Sequence, residues 1–493
     1  MIPLSRCGIA SFTIMTKKHL LVGLMAVLSS PLAGQESLTL EDCVERAIAY
    51  NYSVQQTANN ALASASEKQA AFGSFFPSVN ASGGYFNNSG LVIDPVTNEV
   101  SRSGLGSGSG TLSSNVTLFD GMQTWHQWKR SQIEHVMSLY QLQSAKNDVA
   151  LNTAAAFLQY MLSEEALLVA QEQVQLSHSL QTRVSALHTV GSVAMSEMYQ
   201  TKTQVARDEQ RVVSAKNQWD LSRLILLQHM GMPADAGVVF HRPALEVTEK
   251  STVLMTIPSQ RIYEASVNHQ PSIEVARLSV QSAYHAKKAT LGTFYPQLSL
   301  SGQVSTSYSN KVYNYTTTTQ TIPIGYFINP LNQSHIPVFT EIAMPSNPVA
   351  KPFADQVEDN VRQFVGLSMS VPLFNGFQSR SQMRRATLNQ RNAELQWAQQ
   401  KDNYRQTIER AYADASAALS QFRAAEITAE ASKENFRFAK IRREEGQMNA
   451  YDYSSAQNSY LSAMSDVLRS KYDCLFKMRV LELYMNNTLT LAK

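Results

Sequence analysis

The hexapeptide LFDGMQ at residues 118–123 recurs in the second half of the chain as LFNGFQ at residues 373–378. The two copies lie 255 residues apart (376 − 121). The same offset relates Gly191 to Gly446, far downstream of both motifs. A long-range repeat of this kind indicates that the chain contains two tandem copies of one structural unit.

The two copies are predicted to be repeat 1 at residues 35–245 and repeat 2 at residues 246–493. Upstream of the hexapeptides, KQAAFGSFFPS (68–78) matches KKATLGTFYPQ (287–297) at an offset of 219 residues (296 − 77). Because this offset is smaller, repeat 2 must hold 36 extra residues (255 − 219) between its two motifs.

Four long stretches contain neither glycine nor proline, at residues 122–190, 192–230, 377–445 and 447–493. Both residues interrupt regular helices, so these stretches are predicted to be helical. A helix over residues 122–189 would be roughly 100 Å long at about 1.5 Å per residue. The predicted elements are long helices at 122–189 and 377–444, tips at 190–196 and 445–451, and ascending helices at 197–230 and 452–485.

The second long helix carries apolar residues at coiled-coil spacing. Its predicted seam is Ile408, Tyr412, Ala415, Leu419 and Phe422. The equivalent positions in repeat 1 keep the pattern less strictly; they are Thr153, Phe157, Tyr160, Glu164 and Leu167. We therefore expect long coiled-coil pairs rather than a globular core.

Between the predicted helices, apolar side chains recur at every second residue. Residues 365–373 alternate apolar with small or polar side chains, and 298–304 and 112–118 do so in part. This alternation predicts a β-hairpin in each repeat, at about 77–119 and about 296–374. Such strands fit a membrane β-barrel, with a hairpin of a soluble β-sandwich as the alternative.

Aromatic residues occur where the predicted strands meet helices, as in the interfacial girdle of a membrane protein. The candidate girdle residues are Phe75, Phe76, Phe119, Phe294, Tyr295 and Phe374. Two connecting stretches, 91–110 and 307–361, have the composition of surface loops. The longer one is either a tolerated insertion or a contact site for a phage or host.

A secretory signal peptide is predicted at residues 1–34, where Lys17 and Lys18 precede a short apolar run. Removing these residues leaves 39 basic (42 − 3) and 39 acidic side chains, so nucleic acid is a poor candidate partner. Charged residues make up 16% of the chain and mean hydropathy is −0.22, which excludes a bundle of membrane helices. Cys43 and Cys474 would meet an oxidising compartment, but nothing local brings them together.

Four strands per chain cannot close a barrel in lipid without unpaired edges. We therefore expect a homotrimer with a 12-stranded membrane β-barrel in contact with outer-membrane lipid. The long helices would continue this barrel as an α-helical coiled-coil barrel. The predicted fold class is this combination of membrane β-barrel and helical barrel.

Several motifs together resemble the TolC-like outer membrane efflux proteins. LTLEDCVERAIAYNYSVQQT (38–57) is similar to the family's opening helix, FFPSV and FYPQL to its helix-to-strand transitions, and LFDG and LFNG to its strand-to-helix transitions. VGSVAMSEMYQ (190–200) and EGQMNAYDYSSAQ (445–457) resemble its hairpin tips. The resemblance implies a trimeric channel in the outer membrane that reaches into the periplasm. Its implied partners are a periplasmic adaptor and an inner-membrane pump of RND or ABC type, for drug efflux or type I secretion.

The resemblance also implies roles for tip residues. Its acidic pore constriction falls on Asp452, with Glu197 as the equivalent in repeat 1, whereas the family's second acidic position is Ser455 here. An N-cap role for Asp452 is the alternative. The family's latch tyrosine and arginine fall on Arg443 and Met448, a departure from the pattern. The candidate adaptor contacts are Val190, Gly191, Ser192, Glu445, Gly446 and Gln447.

Two other classes of function were weighed. No catalytic or metal-binding motif is present, because the histidines are scattered and Gly104, Gly106, Gly108 and Gly110 miss nucleotide-loop spacing. We therefore expect no enzyme and no cofactor. A periplasmic coiled-coil scaffold or adaptor without its own pore is the second alternative, and the predicted β-hairpins argue against it.

Overall fold

The computed structural model describes residues 37–102, 104–241 and 254–486. The predicted signal peptide lies outside these residues. In chain order the helices are α1 (Leu40–Tyr50), α2 (Tyr52–Gly73), α3 (Gln123–Thr189), α4 (Met195–His229), α5 (Ser259–Ser266), α6 (Pro271–Gly292), α7 (Phe353–Asp359), α8 (Gln378–Glu444) and α9 (Ala450–Asn486). The strands are β1 (Ser37–Leu38), β2 (Ser78–Asn88), β3 (Val92–Ile93), β4 (Val100–Ser101), β5 (Leu105–Phe119), β6 (Val239–Phe240), β7 (Gln297–Ser309), β8 (Tyr313–Ile328), β9 (His335–Ala350) and β10 (Arg362–Ser370).

The chain forms two compact units, each assembled from both repeats. One is formed by residues 1–55, 146–263 and 408–493, as far as these are described, and contains the helical tips. The other is formed by residues 56–145 and 264–407 and contains the larger sheets. The long helices α3 and α8 contribute residues to both units.

The main sheet has four antiparallel strands in the order β10-β7-β5-β2. Hairpin β2–β5 belongs to repeat 1 and hairpin β7–β10 to repeat 2, and the pairing of β5 with β7 joins the repeats. On β10, Val365, Leu367 and Met369 are all exposed. The alternation seen in the sequence thus describes a strand with an uncovered apolar face.

The extra residues of repeat 2 form a separate hairpin, β8–β9, which continues from the end of β7. The run of threonines at 316–319 lies in β8. At the base of this hairpin, buried Gln356 accepts a hydrogen bond from the backbone N–H of Ser309 at 3.0 Å. The Ser309 hydroxyl in turn donates to the buried carboxylate of Asp94. A polar cluster therefore fastens the loop of repeat 1 to the hairpin of repeat 2.

The predicted coiled-coil seam is buried in the helical unit. Ile408 and Ala415 have no exposed surface, and Leu419 and Phe422 pack with Cys474 and Met478 of α9. Tyr412 is half-buried, and its hydroxyl donates to the Met255 carbonyl at 2.8 Å. The long helix α8 is therefore held by heptad contacts to the helix that follows it.

Cys43 and Cys474 are both buried and both free. Burial raises the pKa of the Cys43 thiol from 9.0 to about 12, so it stays protonated at neutral pH. Both cysteines act as small apolar residues in the packing of the helices.

No helix in the described part of the chain is both long enough and apolar enough to cross a membrane.

Candidate functional site

The two helical tips share one turn geometry. At tip 1, the N–H of Ser192 donates to the Leu187 carbonyl at 3.0 Å and that of Gly191 to the His188 carbonyl at 2.9 Å. At tip 2, Gln447 and Gly446 make the same two contacts with Arg442 and Arg443, at 2.8 and 3.2 Å. This pattern ends a helix on a residue with positive φ. The φ angles of Gly191 and Gly446 are 74° and 73°, which explains glycine at both turns.

The tips present their turn residues to solvent. Val190, the residue after the end of α3, is 72% exposed. All six candidate contact residues are exposed; they are Val190, Gly191, Ser192, Glu445, Gly446 and Gln447. Their assignment as adaptor contacts stays a prediction, and their exposure is the condition that such a role requires.

An ion pair joins the two tips. The Arg443 guanidinium, in the last turn of α8, contacts the carboxylate of Glu197, in the first turn of α4. Each side chain is 21% exposed. Arg443 also donates from Nη1 to the Met448 carbonyl at 2.9 Å, which holds the guanidinium over its own turn. Both charges suit the helix ends they occupy, because the N-terminal end of a helix favours an acid and the C-terminal end a base.

The surroundings of this ion pair are partly desolvated. Burial lowers the pKa of Arg443, and Arg183 nearby lowers it further. Burial also raises the pKa of the neighbouring Tyr453. The raised pKa keeps the tyrosine neutral at neutral pH, whereas the arginine stays charged because the ordinary pKa of a guanidinium is far above 7. The pair lies in a cleft of about 690 Å³ whose other charged lining residues are Arg183, Lys440 and Glu444.

Asp452 has a different environment from Glu197. It is the third residue of α9, is exposed, and accepts a hydrogen bond from Asn449 Nδ2 at 2.8 Å. Asn449 Oδ1 accepts from the backbone N–H of Asp452 at 2.8 Å, so Asn449 is the N-cap of α9. The alternative that Asp452 caps this helix is therefore wrong. Its carboxylate projects from the first turn, and Ser455 is likewise exposed one turn further along.

A buried polar network connects three helices of the same unit. Asp208 of α4 is fully buried and accepts hydrogen bonds from Gln204 Nε2 at 3.0 and 3.1 Å, Arg211 Nη1 at 3.0 Å and Gln173 Nε2 of α3 at 3.3 Å. Arg211 and Gln173 in turn contact Asn458 and Gln457 of α9 at 3.4 and 3.5 Å. Sequence reasoning missed this network because charges spaced in this way usually mark a solvated helix face.

The aromatic residues at the strand–helix junctions belong to the other unit. All six candidate girdle residues are exposed; they are Phe75, Phe76, Phe119, Phe294, Tyr295 and Phe374. Sequence reasoning did not include Phe72, Trp125 and Trp128, which extend the cluster around Phe75 and Phe76. Lys129 Nζ lies 4.8 Å from the ring centroid of Trp128. A tryptophan beside a lysine is a common pair at a membrane interface. The role of these aromatic residues as an interfacial girdle stays a prediction.

A family profile and several solved structures relate this architecture to known proteins. The sequence profile of the family described as "Outer membrane efflux protein" matches residues 43–232 and 262–487. A comparison with curated proteins finds no significant match.

Several solved structures share the fold over nearly the whole chain. VceC, an outer membrane protein of Vibrio cholerae, superposes with a TM-score of 0.70 at 13% identity, covering 91% of this chain and 95% of its own. The CmeC outer membrane channel of Campylobacter jejuni gives 0.70 at 16% identity, with 90% and 85% covered. CusC, whose structures describe the formation of a transmembrane channel, gives 0.71 at 12% identity, with 90% and 91% covered.

Proposed function

Because this chain belongs to the outer membrane efflux protein family, we propose that it assembles as a homotrimer into a channel-tunnel of the outer membrane. In this role it is a passive conduit and not an enzyme. It is the exit duct of a tripartite efflux pump or a type I secretion system. The β-strands cross the outer membrane, and the helices form a tunnel in the periplasm.

The open edges of the four-stranded sheet are the observation that supports this proposal. The four-stranded sheet has β10 and β2 at its edges, and neither edge strand has a second partner in the described part of the chain. A strand in lipid must satisfy its backbone groups on both sides, so such a sheet is complete only when other copies extend it. Three copies would give 12 strands, an even number within the range of outer-membrane barrels.

The tips are the surface proposed to dock the periplasmic adaptor, which would link the tunnel to an inner-membrane pump. The shared turn geometry supports this role, because each chain offers two similar exposed turns, at Gly191 and Gly446. A trimer would therefore present six related turns to a ring of adaptors. Val190 supplies an apolar side chain that an adaptor would cover.

The entrance is proposed to lie at the tips and to be held by the ion pair between Glu197 and Arg443. This pair supports a latch because it joins the tip of repeat 1 to the tip of repeat 2. Separating the tips would expose both charges to water and break the contact. Asp452, exposed in the first turn of α9, is the residue proposed to line the passage and attract cations.

The experiment that tests this function is conductance of the purified protein in a planar bilayer, with the oligomeric state measured by light scattering in detergent. We expect a trimer with discrete cation-selective steps. A stable monomer without conductance that leaves the membrane in carbonate would contradict the proposal and favour the periplasmic scaffold. A trimer that shows no conductance would contradict the idea that the entrance opens without its adaptor. The conductance would then be measured again with the adaptor added.

A further inference from the structure

The helices α3 and α6 carry the same short motif at the point where they touch. It is WHQWK at residues 125–129 of α3 and YHAKK at residues 284–288 of α6. Each copy has an aromatic residue, a histidine directly after it, and a lysine four residues after the aromatic residue. The repeat offsets of 255 and 219 residues convert His126 into Ser381 and His285 into Ser66. The motif is therefore not a consequence of the tandem repeat.

The two histidines meet at the centre of this arrangement. His126 Nδ1 and His285 Nδ1 lie 3.1 Å apart. Further along α3, Glu134 accepts hydrogen bonds from the Ser282 hydroxyl of α6 at 2.9 Å and from Arg130 Nε at 2.7 Å. Because the contact at a higher residue number on α3 falls at a lower number on α6, the two helices run antiparallel. An approximate two-fold axis through the histidine pair therefore relates the two motifs.

Each lysine lies over the aromatic ring of its own motif. Lys129 Nζ is 5.3 Å from the ring centroid of Trp125, and Lys288 Nζ is 5.6 Å from that of Tyr284. A ring face attracts an ammonium group, whose N–H donors that point away from the ring can bind another partner. Lys129 gives one of its three donors to Gln132 Oε1 at 3.3 Å. The two motifs therefore hold two cations beside the histidine pair.

The histidine pair lies between these two cations. Burial lowers the pKa of both rings. Lys288 lowers the pKa of His126 further, and His126 and Lys129 do the same to His285, so each lysine acts on the histidine of the opposite helix. At neutral pH both rings are uncharged, and one Nδ1 donates to the other. The accepting ring then carries its proton on Nε2, because a neutral imidazole has one N–H group. The pair thus adds an N–H donor to the two ammonium groups.

The cluster lies next to the predicted membrane interface. Lys288 is four residues before the end of α6, or about 6 Å along the helix, and Lys129 is six residues after the start of α3, or about 9 Å. Lys129 also contacts Trp128, whose ring lies 6.0 Å from that of Phe75 in the candidate girdle. The headgroup layer of a bilayer extends roughly 5 to 7 Å beyond the hydrocarbon core. Side chains as long as lysine reach this layer from both positions.

We propose that Lys129, Lys288 and the histidine pair bind the phosphate group of an anionic phospholipid at the periplasmic surface of the outer membrane. The inference rests on the proposed location in the outer membrane and adds a lipid ligand to it. Ammonium groups and an imidazole N–H are donors that phosphate oxygens accept, and basic pockets between helices suit anionic headgroups. The source of the phosphate is a lipid because the cluster is continuous with exposed aromatic residues at the strand–helix junctions.

A transition metal is the alternative occupant of two histidine nitrogens that lie this close together. Two ammonium groups beside the pair repel a cation, however, and attract an anion. The charges that act on His126 and His285 therefore favour a phosphate over a metal.

Lipid binding to the purified full-length protein tests the site. Native mass spectrometry in detergent gives the occupancy by dioleoylphosphatidylglycerol and by dioleoylphosphatidylcholine, which has the same acyl chains. The choline ammonium offsets the phosphate charge, so we expect phosphatidylglycerol to bind at least about fivefold more tightly. Inorganic phosphate is the probe for a free anion and should compete only weakly with phosphatidylglycerol, because it lacks the acyl chains that contact the aromatic residues.

Substitution of the lysines tests which residues bind the headgroup. Lys129→Gln with Lys288→Gln should weaken phosphatidylglycerol binding about 25-fold, about fivefold for each lysine. Lys129→Arg with Lys288→Arg keeps both charges and should keep the affinity within about threefold. Lys401→Gln is the matched control, because Lys401 Nζ lies 3.7 Å from the Trp397 ring at the same spacing, but alanine follows that tryptophan in place of histidine. This control should leave lipid binding unaltered.

The outcomes separate the lipid site from the proposed function. If the wild type is a conducting trimer but binds both lipids equally, or if the double glutamine variant binds phosphatidylglycerol as tightly as the wild type, the lipid site is wrong and the channel stands. If inorganic phosphate binds as tightly as phosphatidylglycerol, the ligand is a free anion and the lipid assignment is wrong. If the wild type is a monomer that leaves the membrane in carbonate, the proposed function has failed, and the site loses the interface on which it depends.

Discussion

Glu197 and Arg443 form an ion pair although 246 residues separate them in the chain. Glu197 lies in the first turn of α4, the ascending helix of repeat 1. Arg443 lies in the last turn of α8, the long helix of repeat 2. In the TolC-like pattern Arg443 stands at the position of the latch tyrosine, whereas Glu197 stands at the repeat 1 position of the acidic constriction. The contact joins the ends of the two helical hairpins.

Breaking this ion pair should favour separation of the tips. For Glu197→Gln or Arg443→Met we expect about a tenfold rise in the open population, as loss of a charged hydrogen bond is worth about 1.5 kcal/mol or more. The measurement is open probability in planar bilayers. Arg437→Gln is the control, since Arg437 pairs with Glu434 within one exposed helix face. Equal effects of Arg437→Gln and Arg443→Met would contradict the latch.

Neutralising Asp452 should reduce cation selectivity. Three carboxylates around a narrow passage attract cations, so Asp452→Asn is expected to lower the cation-to-anion permeability ratio by about twofold or more. Reversal potentials in a salt gradient measure this ratio. Glu430→Gln, which removes an exposed acid elsewhere on α8, should leave the ratio unchanged. An unaltered ratio in the Asp452 variant would remove this residue from the passage.

Removing the buried carboxylate of Asp208 should destabilise the helical unit. Asp208→Ala leaves the side-chain donors of Gln173, Gln204 and Arg211 without their acceptor, and Gln173 is buried, so we expect a loss of about 1 to 3 kcal/mol in the free energy of unfolding. Denaturant titration followed by circular dichroism provides the value. Asp402→Ala, at an exposed aspartate paired with Arg405, should cost less than about 0.5 kcal/mol. Similar losses for both variants would show that the network contributes nothing.

A histidine pair in the strand-bearing unit should make stability sensitive to acid. His126 Nδ1 and His285 Nδ1 lie 3.1 Å apart, so one ring donates and the other accepts. Burial lowers the pKa of both, with further lowering of His126 by Lys288, and of His285 by His126 and Lys129. Because the folded-state pKa values lie below 6.5, the neutral pair stabilises the fold above that pH.

This stabilisation is lost as the pH falls below about 6.5 through the folded-state pKa values, because the folded state must then accept a charge beside two lysines. We expect the Tm of the wild type to drop by several degrees between pH 7 and pH 5, and His126→Asn to reduce that drop. His241→Asn, at an exposed histidine, is the control. A wild-type Tm that is flat over this range would contradict the prediction.

Much of the fold could be read from the sequence because its signals are local. Glycine and proline end helices wherever they occur, so their absence marked the long helices to within a few residues of α3 and α8. The hexapeptide repeat located the strand-to-helix turns, and heptad spacing found the buried seam at Ile408 and Ala415. Membership of the outer membrane efflux protein family, expected from those motifs, is confirmed.

The site was less accessible to sequence reasoning. The motifs placed Glu197 and Asp452 at the tips, but nothing in the local pattern distinguished a paired acid from an exposed one. Asn449 was not identified as the cap of α9, because Asn449 and Asp452 lie three residues apart and are both good capping residues. The buried Asp208 was also missed, since burial depends on which helices pack around it.

The sequence by itself determined the two-repeat plan, the long helices, the hairpins and the turns at Gly191 and Gly446. These depend on backbone propensity and on the period of apolar residues, which act over a few residues. Only the tertiary structure decided that Arg443 pairs with Glu197, and that Gly121 is covered while Gly376 is open. Such differences arise from packing between segments far apart in the chain, where nearly identical motifs meet different neighbours.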